Sequence, residues 1–126
     1  MKLSDGKPPA LKPIVWMGDS LGILRRFPQA VREVTGYALY LAQSGGKHRN
    51  AKALKGFGPG VLEVVSDHGG NTYRAVYTVR LAGTIYVLHA FQKKSKRGVA
   101  TPRTEIELVK QRLRRAMELH ASREAL

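Results

Sequence analysis

Arg74, His89, Phe91 and Lys93 are the residues whose types and spacing point to chemistry. Residues 72–81 (TYRAVYTVRL) and 84–92 (TIYVLHAFQ) are rich in Tyr, Val and Thr and alternate as half-buried strands do. Ala82-Gly83 between them suits a tight hairpin turn, where glycine supplies positive φ. Pairing Leu81 with Thr84 sorts the side chains by a period of two. One face collects Tyr73, Ala75, Tyr77, Val79, Leu81, Tyr86, Leu88 and Ala90, which is a core face. The other collects Thr72, Arg74, Val76, Thr78, Arg80, Ile85, Val87, His89, Phe91 and Lys93, with Arg74 opposite Phe91. An arginine, an aromatic ring, a histidine and a lysine on one patch suit a phosphate and a stacked base. The same residues also suit an ordinary solvated sheet face.

Cationic chemistry of this kind matches RNA. The 2′-hydroxyl attacks the adjacent phosphate, so the nucleophile comes with the substrate. Preorganised Arg and Lys stabilise the added negative charge, a histidine or lysine moves protons, and an aromatic ring holds the strand splayed. Other chemistries find less support. The chain has no cysteine, which excludes disulfides and thiolate metal sites. His48, His68, His89 and His120 are scattered, without metal-ligand spacing or a carboxylate cluster, so neither metal nor cofactor is expected. Gly56, Gly58 and Gly60 fit no phosphate-loop fingerprint.

The elements that position these residues follow from the rest of the chain. Its 126 residues imply one domain, 43% hydrophobic, with 22 Lys and Arg against 9 Asp and Glu. The net charge of +13 favours a polyanionic partner. No apolar run reaches signal-peptide or transmembrane length, so a cytoplasmic protein without membrane contact is expected. Residues 1–12 read as a mobile lead-in, 13–120 as the domain and 121–126 as a frayed end. Ile14, Val15 and Trp16 form a first strand, and Asp19 or Ser20 caps a short helix through Arg26. Pro28 opens a second helix carrying Val31, Val34, Ala38, Leu41 and Ala42 at helical spacing, with Tyr37 and Tyr40 as packing residues.

Residues 47–60 read as a basic loop in which Lys55 alone stands close enough to reach the sheet. Residues 61–67 form a strand, and His68-Gly69-Gly70-Asn71 turns it back, with Asp67 opposite Thr72, Val65 opposite Arg74 and Glu63 on the Arg74 face. Thr101 as N-cap and Pro102 open a last helix with an Ile106, Val109, Leu113, Ala116, Met117 stripe. The expected architecture is α+β: an antiparallel meander sheet with an N-terminal helical hairpin and a C-terminal helix, one sheet face partly open to solvent.

Residues 54–115 carry Leu62-Glu63-Val64, Tyr73-Arg74-Ala75-Val76-Tyr77, Leu88-His89-Ala90-Phe91-Gln92-Lys93-Lys94, Thr101-Pro102 and Glu105-Ile106-Glu107. In that order they resemble the phage-related, HigB-like branch of the RelE/ParE toxin superfamily. The resemblance implies a small RelE-like fold and the toxin of a type II toxin–antitoxin system, a metal-independent endoribonuclease that cleaves mRNA on the ribosome. It also implies a helix-turn-helix (HigA-like) antitoxin as partner. Carried over, Arg74 binds the scissile phosphate, Lys93 and Lys94 contact phosphate or ribosomal RNA, Phe91 stacks a base and His89 is a proton carrier or a structural neighbour. Arg74, His89, Lys93 and Lys94 are thus the catalytic candidates, and beside Phe91 the basic Lys55, Arg80, Lys96 and Arg97 are expected to contact RNA. Val65 stands where many relatives have a basic residue. The superfamily also contains gyrase inhibitors that cut nothing, and a non-toxic, basic nucleic-acid-binding phage protein is a third alternative.

Overall fold

The computed structural model describes residues 10–93 and 101–124. Its elements are β1 (Ile14–Trp16), α1 (Ser20–Arg25), α2 (Gln29–Gln43), β2 (Ala51–Ala53), β3 (Val61–His68), β4 (Asn71–Thr78), β5 (Ile85–Lys93) and α3 (Arg103–Glu124). The strands form one sheet in the order β1-β5-β4-β3-β2. The domain is α+β, with helices before and after the sheet-forming stretch, as the residue pattern implies. α3 continues to Glu124, so residues 121–124 are helical rather than frayed. Lys12 is tied to the end of α2: its N–H donates to the Gln43 carbonyl at 3.1 Å, and Gln43 Nε2 donates to the Lys12 carbonyl at 2.8 Å.

Four strands pair antiparallel, but β1 lies parallel to β5, with Ile14 opposite Ile85 and Trp16 opposite Val87. The sheet is therefore mixed. The chain leaves β1 through two helices rather than a hairpin, and such a crossover permits a parallel return. β2 lies inside the stretch expected to be a loop, pairing Ala51 with Val64 and Lys52 with Glu63. Its sequence, AKA, holds no β-branched or aromatic residue, so local propensity announces no strand. Burial of Ala51 against Ala38, Leu39 and Ala42 of α2 supplies what propensity does not.

The β3–β4 register is the expected one, with Val65 opposite Arg74 and Asp67 opposite Thr72. Gly69 and Gly70 make the turn at φ 58° and 81°, a conformation open to glycine at little cost. In β4–β5, Thr72 pairs with Lys93, Arg74 with Phe91 and Val76 with His89, again as expected. The register then shifts: Tyr77 faces Val87 and Thr78 faces Tyr86, which leaves Leu88 as the extra residue of a β-bulge. Side-chain direction inverts beyond the bulge, so Tyr86 and Leu88 join the face of Val76, while Ile85 and Val87 join Tyr77. That reverses the assignment made from strict alternation. The hairpin end differs too. Thr78 Oγ1 donates to the Gly60 carbonyl at 2.7 Å and accepts the Arg80 N–H at 3.1 Å. β4 stops there, and residues 79–84 form a loop instead of a two-residue turn.

Both sheet faces are covered. On one, Ala38, Leu39 and Ala42 of α2 pack on Val64, Tyr77, Ile85 and Val87. Leu24, Phe27 and Val31 continue that face over Tyr73 and Ala90. On the other, Val109, Leu113 and Ala116 of α3 pack on Val61, Val76, Tyr86 and Leu88. The expected open face is thus closed by α3, because its apolar stripe and the apolar residues of that face must both leave water. Tyr37 and Tyr40, expected as packing residues, are instead 55% and 49% exposed on α2.

The Tyr77 hydroxyl is buried among apolar side chains and has no hydrogen-bond partner among the described residues. Burial pushes its pKa up to about 12. Tyr77→Phe removes an unsatisfied polar atom without changing shape, so it should raise stability by about 1 kcal/mol. A urea midpoint below that of the wild type, at unchanged m-value, would contradict this.

Candidate functional site

The α3 side of the sheet brings Glu63, Arg74, His89 and Phe91 onto one surface. Strand alternation aims Glu63 and Arg74 the same way, and the regular half of the β4–β5 pair sets Arg74 beside Phe91. The His89 and Phe91 rings stack at 5.2 Å and 23°. Arg74 is 7% exposed and Phe91 6%, so this surface is a covered cluster rather than a bare cationic face. Arg74 Nη1 donates to Glu63 Oε1 at 3.2 Å and to Thr101 Oγ1 at 3.1 Å, while the Thr101 hydroxyl donates to Glu63 Oε2 at 2.8 Å. Thr101, expected to cap α3, therefore has its hydroxyl engaged on the sheet.

α3 completes the site with two residues that strand patterns do not reveal. Glu105 and Arg112 are two helical turns apart and so share a face beside Val109. Glu105 Oε1 lies 2.6 Å from His89 Nε2, and Arg112 Nη1 lies 3.2 Å from His89 Nδ1. A guanidinium only donates, so Nδ1 is the acceptor; the network then assigns the imidazole proton to Nε2, which donates to Glu105. Arg112 also donates to the Leu88 carbonyl at 3.0 Å and to Asp19 Oδ1 at 2.7 Å. Gly18 makes room for this: at φ 54°, a Cβ there would stand 2.6 Å from the guanidinium. The hydrogen bond from Arg112 holds the Asp19 carboxyl below its ordinary pKa, against the smaller opposing effect of burial.

The remaining sequence candidates lie elsewhere. Lys93 ends β5 opposite Thr72 and is half-buried. Lys55 is exposed in the β2–β3 turn. Arg80 is exposed in the β4–β5 loop, where its guanidinium donates to the Phe57 and Pro59 carbonyls. These two mark the far end of β4 from Arg74. Lys94, Lys96 and Arg97 lie outside the described residues. Among the described residues no three His, Asp or Glu side chains gather as a metal site, and no helix is long and apolar enough to cross a membrane. Sequence reasoning anticipated Glu63 beside Arg74 but missed Asp19, Glu105 and Arg112. The only local sign of the last two is that they border the apolar stripe of α3.

A histidine held between a carboxylate and a guanidinium, beside an aromatic ring, can hold a proton in a defined place and set positive charge next to it. The fold and this cluster define a small α+β domain whose polar site is closed by its last helix. The model of the phage derived protein Gp49-like family (DUF891) matches residues 23–114, and the chain belongs to that family. No curated protein and no solved structure matches it.

Two predictions follow from the geometry. Arg74→Ala leaves Glu63 buried without its cation and should cost about 3–5 kcal/mol in denaturant unfolding, whereas Arg74→Met with Glu63→Leu should recover most of that loss. Equal losses in the single and double variants would contradict it. Because the folded pKa of Asp19 is depressed, its contribution is complete above the unfolded value and lost as pH falls through the folded value. Wild type should therefore exceed Asp19→Asn in stability above the ordinary 3.8, the two converging in more acid solution. The gap should shrink in high salt, since Asp19 is 61% exposed.

Proposed function

We propose that this protein is the toxin of a type II toxin–antitoxin pair, a RelE/HigB-like, metal-independent endoribonuclease that cleaves mRNA on the ribosome. The observation that carries the reading is the Arg112–His89–Glu105 chain stacked against Phe91 on the Arg74 face. Glu105 has the more exposed side chain of the pair, 29% against 5% for His89, so its carboxylate accepts the 2′-hydroxyl proton. The 2′-oxygen bonds to phosphorus, the P–O5′ bond breaks, and the departing oxygen takes a proton from solvent, leaving a 2′,3′-cyclic phosphate and a 5′-hydroxyl. His89 fixes the carboxylate, and Arg112 and Arg74 stabilise the charge gathering on the phosphate. Lys93 and Lys94 hold flanking phosphates, and Phe91 stacks a base. Access requires Thr101 to move off Arg74, to which it is hydrogen-bonded. A helix-turn-helix antitoxin neutralises the protein, and the site of action is the cytoplasm.

The burial of Arg74 and Phe91 favours one second reading, a non-catalytic inhibitor of gyrase that uses the exposed face of α3 as its contact surface. Translating ribosomes separate the two readings. Wild type should cut mRNA, and Glu105→Gln, with an unchanged circular-dichroism spectrum, should cut about 100-fold more slowly in single turnover. Intact mRNA with wild type, together with loss of gyrase supercoiling in a parallel assay, would replace the nuclease reading with the second.

A further inference from the structure

Tyr37 and Tyr40 stand on the outer side of α2, on the opposite side of the sheet from the α3-covered site. They are 55% and 49% exposed, and burial of large apolar surface does not account for either. Spaced three apart, they share one face of the helix. Their rings lie near-parallel, 18° apart with centroids at 6.4 Å. His48 meets Tyr37 edge-on at 5.6 Å and 87°. That histidine is fixed by its own turn. Its Nδ1 accepts the Asn50 N–H at 2.9 Å, and its carbonyl accepts the Ala51 N–H at 3.0 Å. With Nδ1 engaged as an acceptor, the neutral ring carries its proton on Nε2, a donor beside the tyrosines.

Charge decides what such a surface takes. Lys47 and Arg49 flank His48 and are exposed, and residues 47–60 contain no acid. On α2 the acid one turn before Tyr37 is Glu33, which accepts a hydrogen bond from Gln29 at 3.1 Å. Flat, solvent-facing rings beside cations match unpaired bases on a phosphate backbone. A duplex keeps its base faces within its own stack and offers such rings little.

We propose that Tyr37, Tyr40 and His48 form a stacking platform for single-stranded nucleic acid, with Lys47 and Arg49 neutralising its phosphates. The platform stands apart from the α3-covered site and does not depend on any cleavage there. Stacking supplies affinity that salt does not screen, and the cations supply the salt-dependent part.

Fluorescence anisotropy of a labelled ten-nucleotide oligo(U), its oligo(dT) counterpart and a ten-base-pair duplex, each across a salt series, tests this. The wild type should favour the single strands. Tyr37→Ala and Tyr40→Ala should each weaken single-strand binding about 5- to 100-fold at every salt concentration, with little change in salt slope. Tyr37→Phe, which keeps the ring, should bind like wild type. Lys47→Ala with Arg49→Ala should lower the slope by about 1–2 units. Oligo(dT) lacks the 2′-hydroxyl and cannot be cleaved by the route proposed for the α3-covered site, so its binding reads the platform separately from cleavage. Both tyrosine-to-alanine variants binding like wild type would overturn the proposal, leaving only charge attraction at this surface and marking the tyrosines as a protein-facing patch. Equal affinity for duplex and single strands would overturn it as well.

Discussion

A guanidinium and a carboxylate buried together leave little freedom in how the surrounding elements are assembled. Arg74 and Glu63 meet at 3.2 Å with side chains only 8% and 10% exposed. Either charge alone in that place would be costly, so a one-residue slip of β3 against β4 is disfavoured on charge as well as on packing. Thr101 bonds both partners, which pins the start of α3 to the centre of the sheet. His89 and Arg112 repeat the device further along. They join β5 to α3, and Arg112 joins α3 to the β1–α1 connection through Asp19. Such pairs add little net stability compared with apolar replacements, but they penalise alternative arrangements strongly.

Pairing also engages most of the chain's acids, inside and at the surface. Asp19, Glu63, Glu105, Glu107, Glu118 and Glu124 are each engaged by an Arg, Lys or His of the chain. Exposed Arg25, Arg26, Arg32, Lys47, Arg49, Lys52 and Lys55 accordingly face solvent on a chain of net charge +13. The resulting field attracts polyanions at long range without selecting among them. Under the two proposals, selectivity comes from shaped features: the His89–Phe91 cluster under α3, and the Tyr37–Tyr40 pair on α2.

Much of the site's foundation was legible in residue order. Two-residue alternation placed Arg74 opposite Phe91 and Val65, and it placed Glu63 on the arginine's face. Pairing energies in that half of the sheet are local and regular, so pattern suffices. The β-bulge at Leu88 was not legible. Ile85, Tyr86, Val87 and Leu88 of β5 put apolar groups on both faces, and an uninterrupted apolar run carries no parity from which to detect an extra residue. Nor could strand β2 be read from AKA, whose pairing rests on burial against α2.

By itself the sequence determined the order of helices and strands apart from β2, the register around Arg74, the absence of thiol chemistry and the cationic character of the chain. These follow from short-range periodicity and composition, which need no knowledge of distant partners. Only the tertiary structure decided that α3 closes the second face, that Arg74 is held by Glu63 and Thr101, and that His89 sits between Glu105 and Arg112. Those contacts join residues 11 to 38 positions apart, and Asp19 meets Arg112 across 93. No local rule specifies them, because they form only when the apolar stripe of α3 leaves water against β5 and carries its bordering charges with it.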